Sequence, residues 1–305
     1  MAIKHRKYKE DDFDLDLYIR EQTHKAFKIK VGDQSRKILG VIKVLLIIAA
    51  FITAFELYSY ASHLIEVWRD NRINETARFI TRQSIVAERE AAPAVDSYMA
   101  AAPSPAKGFR NAAISPVPAL SPVILGLRDT FGNNDIVAYL KIEGTNIDFP
   151  VAQTINNSYY LTHDLLGREN AAGSAFMDYE GRVYPLSYNT VIYAHNMRDG
   201  SMFHDIRNYN NTAYFEAHKK ISLQTLNEDT LWEIFSFYET DTDFYYNAVS
   251  FADADDFVSF ANMLKEKSIY KPAANFTADS RILTLSTCTN RSDNSRYVLH
   301  AYRVK

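Results

Sequence analysis

Residues 38–55 (ILGVIKVLLIIAAFITAF) form an apolar run of 18 residues broken only by Lys43. As a helix, that length is near the minimum needed to cross a hydrocarbon core of roughly 30 Å. The run is apolar around its whole circumference, whereas a helix lying on a soluble core is apolar along one stripe. Lys43 lies about one turn from the start, where its ammonium can snorkel to the interface. Six Lys/Arg occupy the 20 residues before the run and two the 20 after it. The positive-inside rule then puts the N-terminus in the cytoplasm and everything beyond residue 56 outside. The preceding segment is long and no A-x-A site follows promptly, so the run reads as a retained anchor rather than a cleaved signal. The expectation is a single-pass protein of the cell membrane.

The anchor divides the rest of the chain. Residues 1–37 mix acidic and basic clusters and read as a polar cytoplasmic tail. Residues 56–90 contain no Gly or Pro. Leu57, Tyr60, Ala61, Leu64, Ile65 and Trp68 recur there at helical spacing, which predicts a helical stem. Residues 91–124 change character: 91–122 hold six of the nine prolines and ten alanines, the composition of a semi-extended linker. From 125 to 305 short strand-like runs alternate with turn residues, over 136–142, 147–151, 174–178, 190–195, 220–225, 230–238, 281–287 and 297–304. One helix is predicted over 255–267, with Asp253 or Asp255 as its N-cap. Many short strands and few helices predict a mainly β fold, a closed eight-stranded barrel with no exposed edge. The net charge of −3 excludes the basic bias of a nucleic-acid binder.

The chain has one cysteine, Cys288, and so no internal disulfide. A lone thiol outside the cytoplasm is open to oxidation, and its presence asks for a use. Cys288 ends the strand-like RILTLSTC. His195 ends another, TVIYAH, and Arg296 begins a third, RYVLHAYRV. A cysteine nucleophile needs a thiolate, and a histidine supplies the base or the imidazolium partner. A guanidinium offers several donors in a fixed plane to the oxygen of a tetrahedral intermediate. His163, His204, His218 and His300 are weaker candidates for the base, and Arg291 and Arg303 compete with Arg296. No H-E-x-x-H or paired-cysteine spacing occurs, so neither a metal nor another cofactor is expected. The histidine-glycine-cysteine segment of an L,D-transpeptidase is also missing.

Over most of residues 125–305 these local sequences resemble the sortases, class B in particular. DIVAYLKIEGTNIDFPVAQ (135–153) is similar to the family's opening strands and NNSYYLTHDLLGRENAAGSAFMDY (156–179) to its next block. NTVIYAHNMRDGSMFHDIRNY (189–209) resembles its histidine segment, and LTLSTC with RYVLHA its cysteine and arginine segments. The resemblance implies a sortase-type β-barrel and a cysteine transpeptidase, with Cys288 as nucleophile, His195 as acid/base and Arg296 as oxyanion or substrate stabiliser. It implies that Asn157, Leu161, Tyr193 and Ser286 line a groove for a C-terminal sorting signal of surface proteins. The acyl group would pass to an amine of a cell-wall precursor or to a pilin lysine. Two departures from the family pattern, Ala194 before the histidine and Ala138-Tyr139 in the first strand, fall outside the catalytic trio. Two other functions stay open on sequence alone: a hydrolytic cysteine peptidase, and a non-enzymatic anchored β-domain that binds a surface partner.

Overall fold

The computed structural model describes residues 15–100, 120–271, 273–289, 291–292 and 294–305. The start of the expected cytoplasmic tail (1–14) and the greater part of the expected linker (101–119) lie outside the described residues. The chain divides into two units, Met1–Ile65 and Glu66–Lys305.

Helix α1 (Leu15–Ala100) runs through the predicted span and stem. It also takes in residues assigned by sequence to the tail and, over 91–100, to the linker. Four of those last ten are alanine, the strongest helix former. In the first unit, the apolar run lies on a helix long and apolar enough to cross a membrane, with none of it buried. In the second unit the stem packs through a face that the sequence reading did not select. Trp68, the one residue of the predicted stripe that falls in this unit, is exposed. Ile73, Ala77 and Ile80, about one to three turns further on, join an apolar cluster with Val123, Ile124, Leu127, Ile136 and Tyr139. Polar ties fix that docking. Arg78 Nε donates to the carbonyl of Asp148 at 3.1 Å and pairs with its carboxylate at 3.5 Å, and Asn170 Nδ2 donates to Asp70 Oδ1.

Helix α2 (Pro122–Phe131) starts inside the predicted linker. Ser121 Oγ accepts from the amide of Ile124 at 3.4 Å, Pro122 opens the first turn, and Gly132 closes the helix in the left-handed region at φ 60°. These are the ordinary start and stop signals of a helix. Its buried face, Val123, Ile124, Leu127 and Phe131, covers one side of the barrel.

Eight strands follow: β1 (Ile136–Ile142), β2 (Asp148–Ala152), β3 (Ala175–Met177), β4 (Asn189–Tyr193), β5 (Lys220–Thr225), β6 (Asp229–Asp241), β7 (Ile282–Cys288) and β8 (Ser295–Arg303). They close into the eight-stranded barrel that the sequence predicts, in the order β1-β2-β3-β4-β7-β8-β6-β5. Strands β2–β3 and β4–β7 are parallel and the other pairs antiparallel. Burial patterns show which strands are covered. β5 alternates as a half-solvated strand does, whereas β1 is buried at six of seven positions because α2 and the stem lie over its outer face. Inside the barrel Leu140, Val151, Ile192, Leu223, Leu285 and Leu299 interlock. Helices α3 (Thr212–Ala217) and α4 (Ala254–Lys267) complete the fold. Asp253 caps α4 through the amide of Asp256 at 2.9 Å, and Phe257, Ala261 and Leu264 pack on Phe235 and Ile282.

Candidate active site

Strand direction gathers the reactive side chains. β4 and β7 run parallel with Tyr193 beside Ser286, so their C-terminal ends reach the same rim of the barrel. β8 is antiparallel to β7 and begins at that rim, which sets Arg296 directly across from Cys288. His195 lies two residues past the end of β4. Asn196 Nδ2 donates to the carbonyl of Cys288 at 2.9 Å, tying the histidine segment to the cysteine strand. The loop after the histidine is closed by an Asn196–Met202 bridge and by the amide of the buried Phe203 donating to the carbonyl of His195 at 2.9 Å. Gly200 and Met202 turn that loop in the left-handed region, at φ 89° and 57°.

The imidazole is oriented by main chain. His195 Nε2 lies 2.8 Å from the carbonyl oxygen of Leu161. A carbonyl only accepts, so Nε2 carries the hydrogen and Nδ1 is the nitrogen left for proton exchange. Leu161 ends a 3-10 turn (Tyr159–Leu161) that is backed by Gly173 at φ 57°. A Cβ there would stand 2.8 Å from the Leu161 oxygen and closer still to that of Tyr160. Only glycine fits beside the carbonyl that holds the histidine.

Cys288, His195, Arg296, Asn157, Leu161, Tyr193 and Ser286 all line one cavity of about 320 Å³. The competing side chains are elsewhere. Arg291 pairs with Glu239 at 2.8 Å, and Arg303, at the far end of β8, pairs with Glu228 at 2.9 Å. His163 stacks on Tyr159, His218 bonds the carbonyl of Glu143, and His300 is fully buried.

A polar network lines the same cavity. The buried Asp178 carboxylate accepts from Asn157 Nδ2 and from the Tyr193 hydroxyl, both at 2.9 Å. Asn247 Nδ2 donates to the same Tyr193 oxygen at 3.0 Å, and Tyr246 Oη and Ser286 Oγ are 2.8 Å apart. Burial pushes the Tyr193 and Tyr246 phenols up, so both stay neutral. At Tyr246 the nearby Arg296 guanidinium opposes part of that rise. Thr287 also lines the cavity, and its buried Oγ1 has no hydrogen-bond partner among the described residues. Sequence reasoning did not find Thr242, Tyr246, Asn247 or Asp178. The one signal for the first three was a long β6–α4 loop rich in aromatic and polar residues (TDFYYN), of the kind that carries function on a rigid scaffold.

The family model of the sortase domain matches residues 140–304. Sortase B of Listeria monocytogenes is 40% identical over 161 residues, 53% of this chain and 65% of that protein. Sortase B of Staphylococcus aureus is 34% identical over 156 residues, 51% of this chain and 64% of that protein. The chain therefore spans a little under two thirds of each of these relatives. Among solved structures, a Staphylococcus aureus sortase B–substrate complex superposes with a TM-score of 0.57 at 32% identity, covering 61% of this chain and 86% of that one.

Proposed function

The chain belongs to the sortase family, with sortase B proteins among its relatives, and on that footing we propose that it is a membrane-anchored cysteine transpeptidase of class B type. The observation that carries the reading is the convergence of Cys288, His195 and Arg296 on one cavity, with Cys288 and Arg296 paired across β7 and β8.

The proposed substrate is the C-terminal sorting signal of a surface protein. The Cys288 thiolate attacks the carbonyl carbon of a Thr–x peptide bond and forms a C–S bond. The carbonyl oxygen takes up the negative charge within reach of Arg296, whose planar fork is suited to an oxyanion. As the C–N bond breaks, the leaving nitrogen takes a proton from His195 Nδ1 while Nε2 stays on the Leu161 carbonyl. An amine of a cell-wall precursor, or a pilin lysine, then attacks the thioester carbon. His195 takes its proton, and Cys288 leaves as thiolate. Asn157, Leu161, Tyr193 and Ser286 form the peptide groove in this scheme. The anchor holds enzyme and substrate at one surface, which raises their effective concentration.

The test is mass spectrometry of the intact protein incubated with sorting-signal peptides and no amine. A thioester adduct on Cys288, released as a new amide on adding amine, is expected. Hydrolysis alone in the presence of amine would make the protein a peptidase. A Cys288→Ala protein that still joined peptide to amine would remove the nucleophile from the scheme.

A further inference from the structure

The groove wall formed by Tyr246 and Asn247 lies in a segment without regular structure between β6 and α4. Three consecutive residues pin it: Tyr246 to Ser286, Asn247 to Tyr193, and the carbonyl of Ala248 to Asn189 Nδ2 at 2.8 Å. The first two bonds lie at the cavity. The third runs inward. Asn189 Oδ1 accepts from Thr284 Oγ1 at 2.7 Å, Thr284 Oγ1 lies 2.9 Å from His300 Nδ1, and His300 Nε2 lies 2.7 Å from the Tyr238 hydroxyl. Asn189, Thr284 and His300 have no exposed surface, and Tyr238 has almost none.

The direction of every proton in this chain follows from its end. The Ala248 carbonyl only accepts, so the Asn189 group facing it is its NH₂ and the group facing Thr284 is its oxygen. The single hydroxyl hydrogen of Thr284 is spent on that oxygen. Its lone pair must then accept from His300, which fixes hydrogen on Nδ1. Nε2 is left as an acceptor for the Tyr238 hydroxyl. Burial drives His300 well below the usual histidine range, to about 3, in keeping with a neutral ring that uses both nitrogens. A chain of like-directed bonds in a low-dielectric interior strengthens each link.

We propose that His300, as the neutral Nδ1–H tautomer, is a positioning residue for the peptide groove: through Thr284 and Asn189 it anchors Ala248 and so sets the wall carried by Tyr246 and Asn247. The proposal rests on reading that cavity as the groove for a sorting peptide. His300 touches neither the cavity nor the reacting atoms, so it acts on substrate binding more than on the chemical step.

The full-length protein in detergent, labelled with 15N-histidine, provides a readout independent of substrate. His300, assigned by comparison with His300→Gln, is expected at pH 7 to show a protonated Nδ1 and an unprotonated Nε2. Thr284→Val keeps the shape and breaks the chain at its centre. It is expected to speed hydrogen exchange of the amides over 245–250 about tenfold and to raise KM for a sorting-signal peptide about tenfold, the size of one lost buried hydrogen bond. kcat should change by less than about threefold, and Thr284→Ser should restore wild-type values. Tyr238→Phe, with the same readouts, serves should the valine variant not fold. An Nε2–H ring or an imidazolium at pH 7 overturns the proposal. So does a folded variant whose loop exchange and KM match wild type. A wild-type protein that turned over no sorting peptide would instead remove the functional reading, and the tautomer and exchange data would still judge the anchor.

Discussion

At the scale of single residues, the site depends on groups that lack close substitutes. Arg296 faces Cys288 across a strand pair, and a lysine there would keep the charge without the planar fork. Arg296→Lys is expected to cut kcat/KM for peptide transfer by roughly 10²-fold with unchanged thermal unfolding, measured by peptide–amine ligation beside calorimetry. Gly173 matters through what it lies against. Gly173→Ala puts a Cβ in contact with the Tyr160 and Leu161 oxygens at a positive φ. The expected result is a loss of about 2 kcal/mol or more in stability, together with a fall in kcat as the Leu161 carbonyl moves off His195 Nε2. Denaturant titration and single-turnover acylation report the two effects separately. The catalytic candidates were legible in the sequence because Cys288, His195 and Arg296 sit at the ends of strand-like runs with distinctive neighbours. Tyr246 and Asn247 were not. Nothing local in TDFYYN says which of its aromatic and polar side chains turns toward strands 40 and 54 positions away and which toward solvent.

At the scale of elements, strands followed directly from alternation and β-branched content, and the structure places all eight close to where the sequence predicts. Helix α2 was missed although its signals were present: Ser121, then Pro122, then Gly132 ten residues on. The proline-rich composition upstream masked them, since proline marks both a linker and a first helical turn. The stem illustrates the opposite case. Its helicity was evident, but the residues that pack it on the barrel, Ile73, Ala77 and Ile80, were not picked out by sequence. One carboxylate in that interface has a raised pKa. Asp70 is pushed up to about 6 by burial, and by Asp164, Asp199 and Glu66, with Asn170 partly opposing. Its charged form is disfavoured in the folded state, so the sign is that of a group with a folded pKa above its unfolded one. The associated stability is present below about pH 4 and is lost as pH rises through about 6. Asp70→Asn is expected to flatten that part of the profile and to leave the protein more stable than wild type at pH 7–8, as followed by thermal unfolding from pH 4 to 8.

For the whole molecule, the single cysteine doubles as a topological reporter. If residues beyond 56 face outward, as the charge asymmetry predicts, a membrane-impermeant maleimide added to intact cells labels Cys288, and a protease added outside removes the domain without touching residues 1–37. Labelling only after lysis would place the domain on the other side. The two units of the chain meet these demands differently. An apolar helix is specified by about twenty residues of local composition, whereas the barrel needs contacts between positions far apart in sequence.

That difference separates what the sequence determined by itself from what the tertiary structure decided. Membrane-competent length, strand positions, the cysteine, histidine and arginine segments and the family resemblance are all carried by short windows, where periodicity and residue chemistry act locally. The order β4-β7-β8 is not local. Pairing β4 parallel to β7, and β7 antiparallel to β8, is what turns three separate strand ends into one rim with Arg296 opposite Cys288. The same strand pairing, covered on that face by the α4 cluster, sets His300 among Tyr238, Thr284 and Asn189, which come from three other strands. A histidine read in isolation is a candidate base. Set on the sheet face among Phe235, Tyr238 and the residues packed under α4, and deprived of water, it is held neutral, and only the fold decides that.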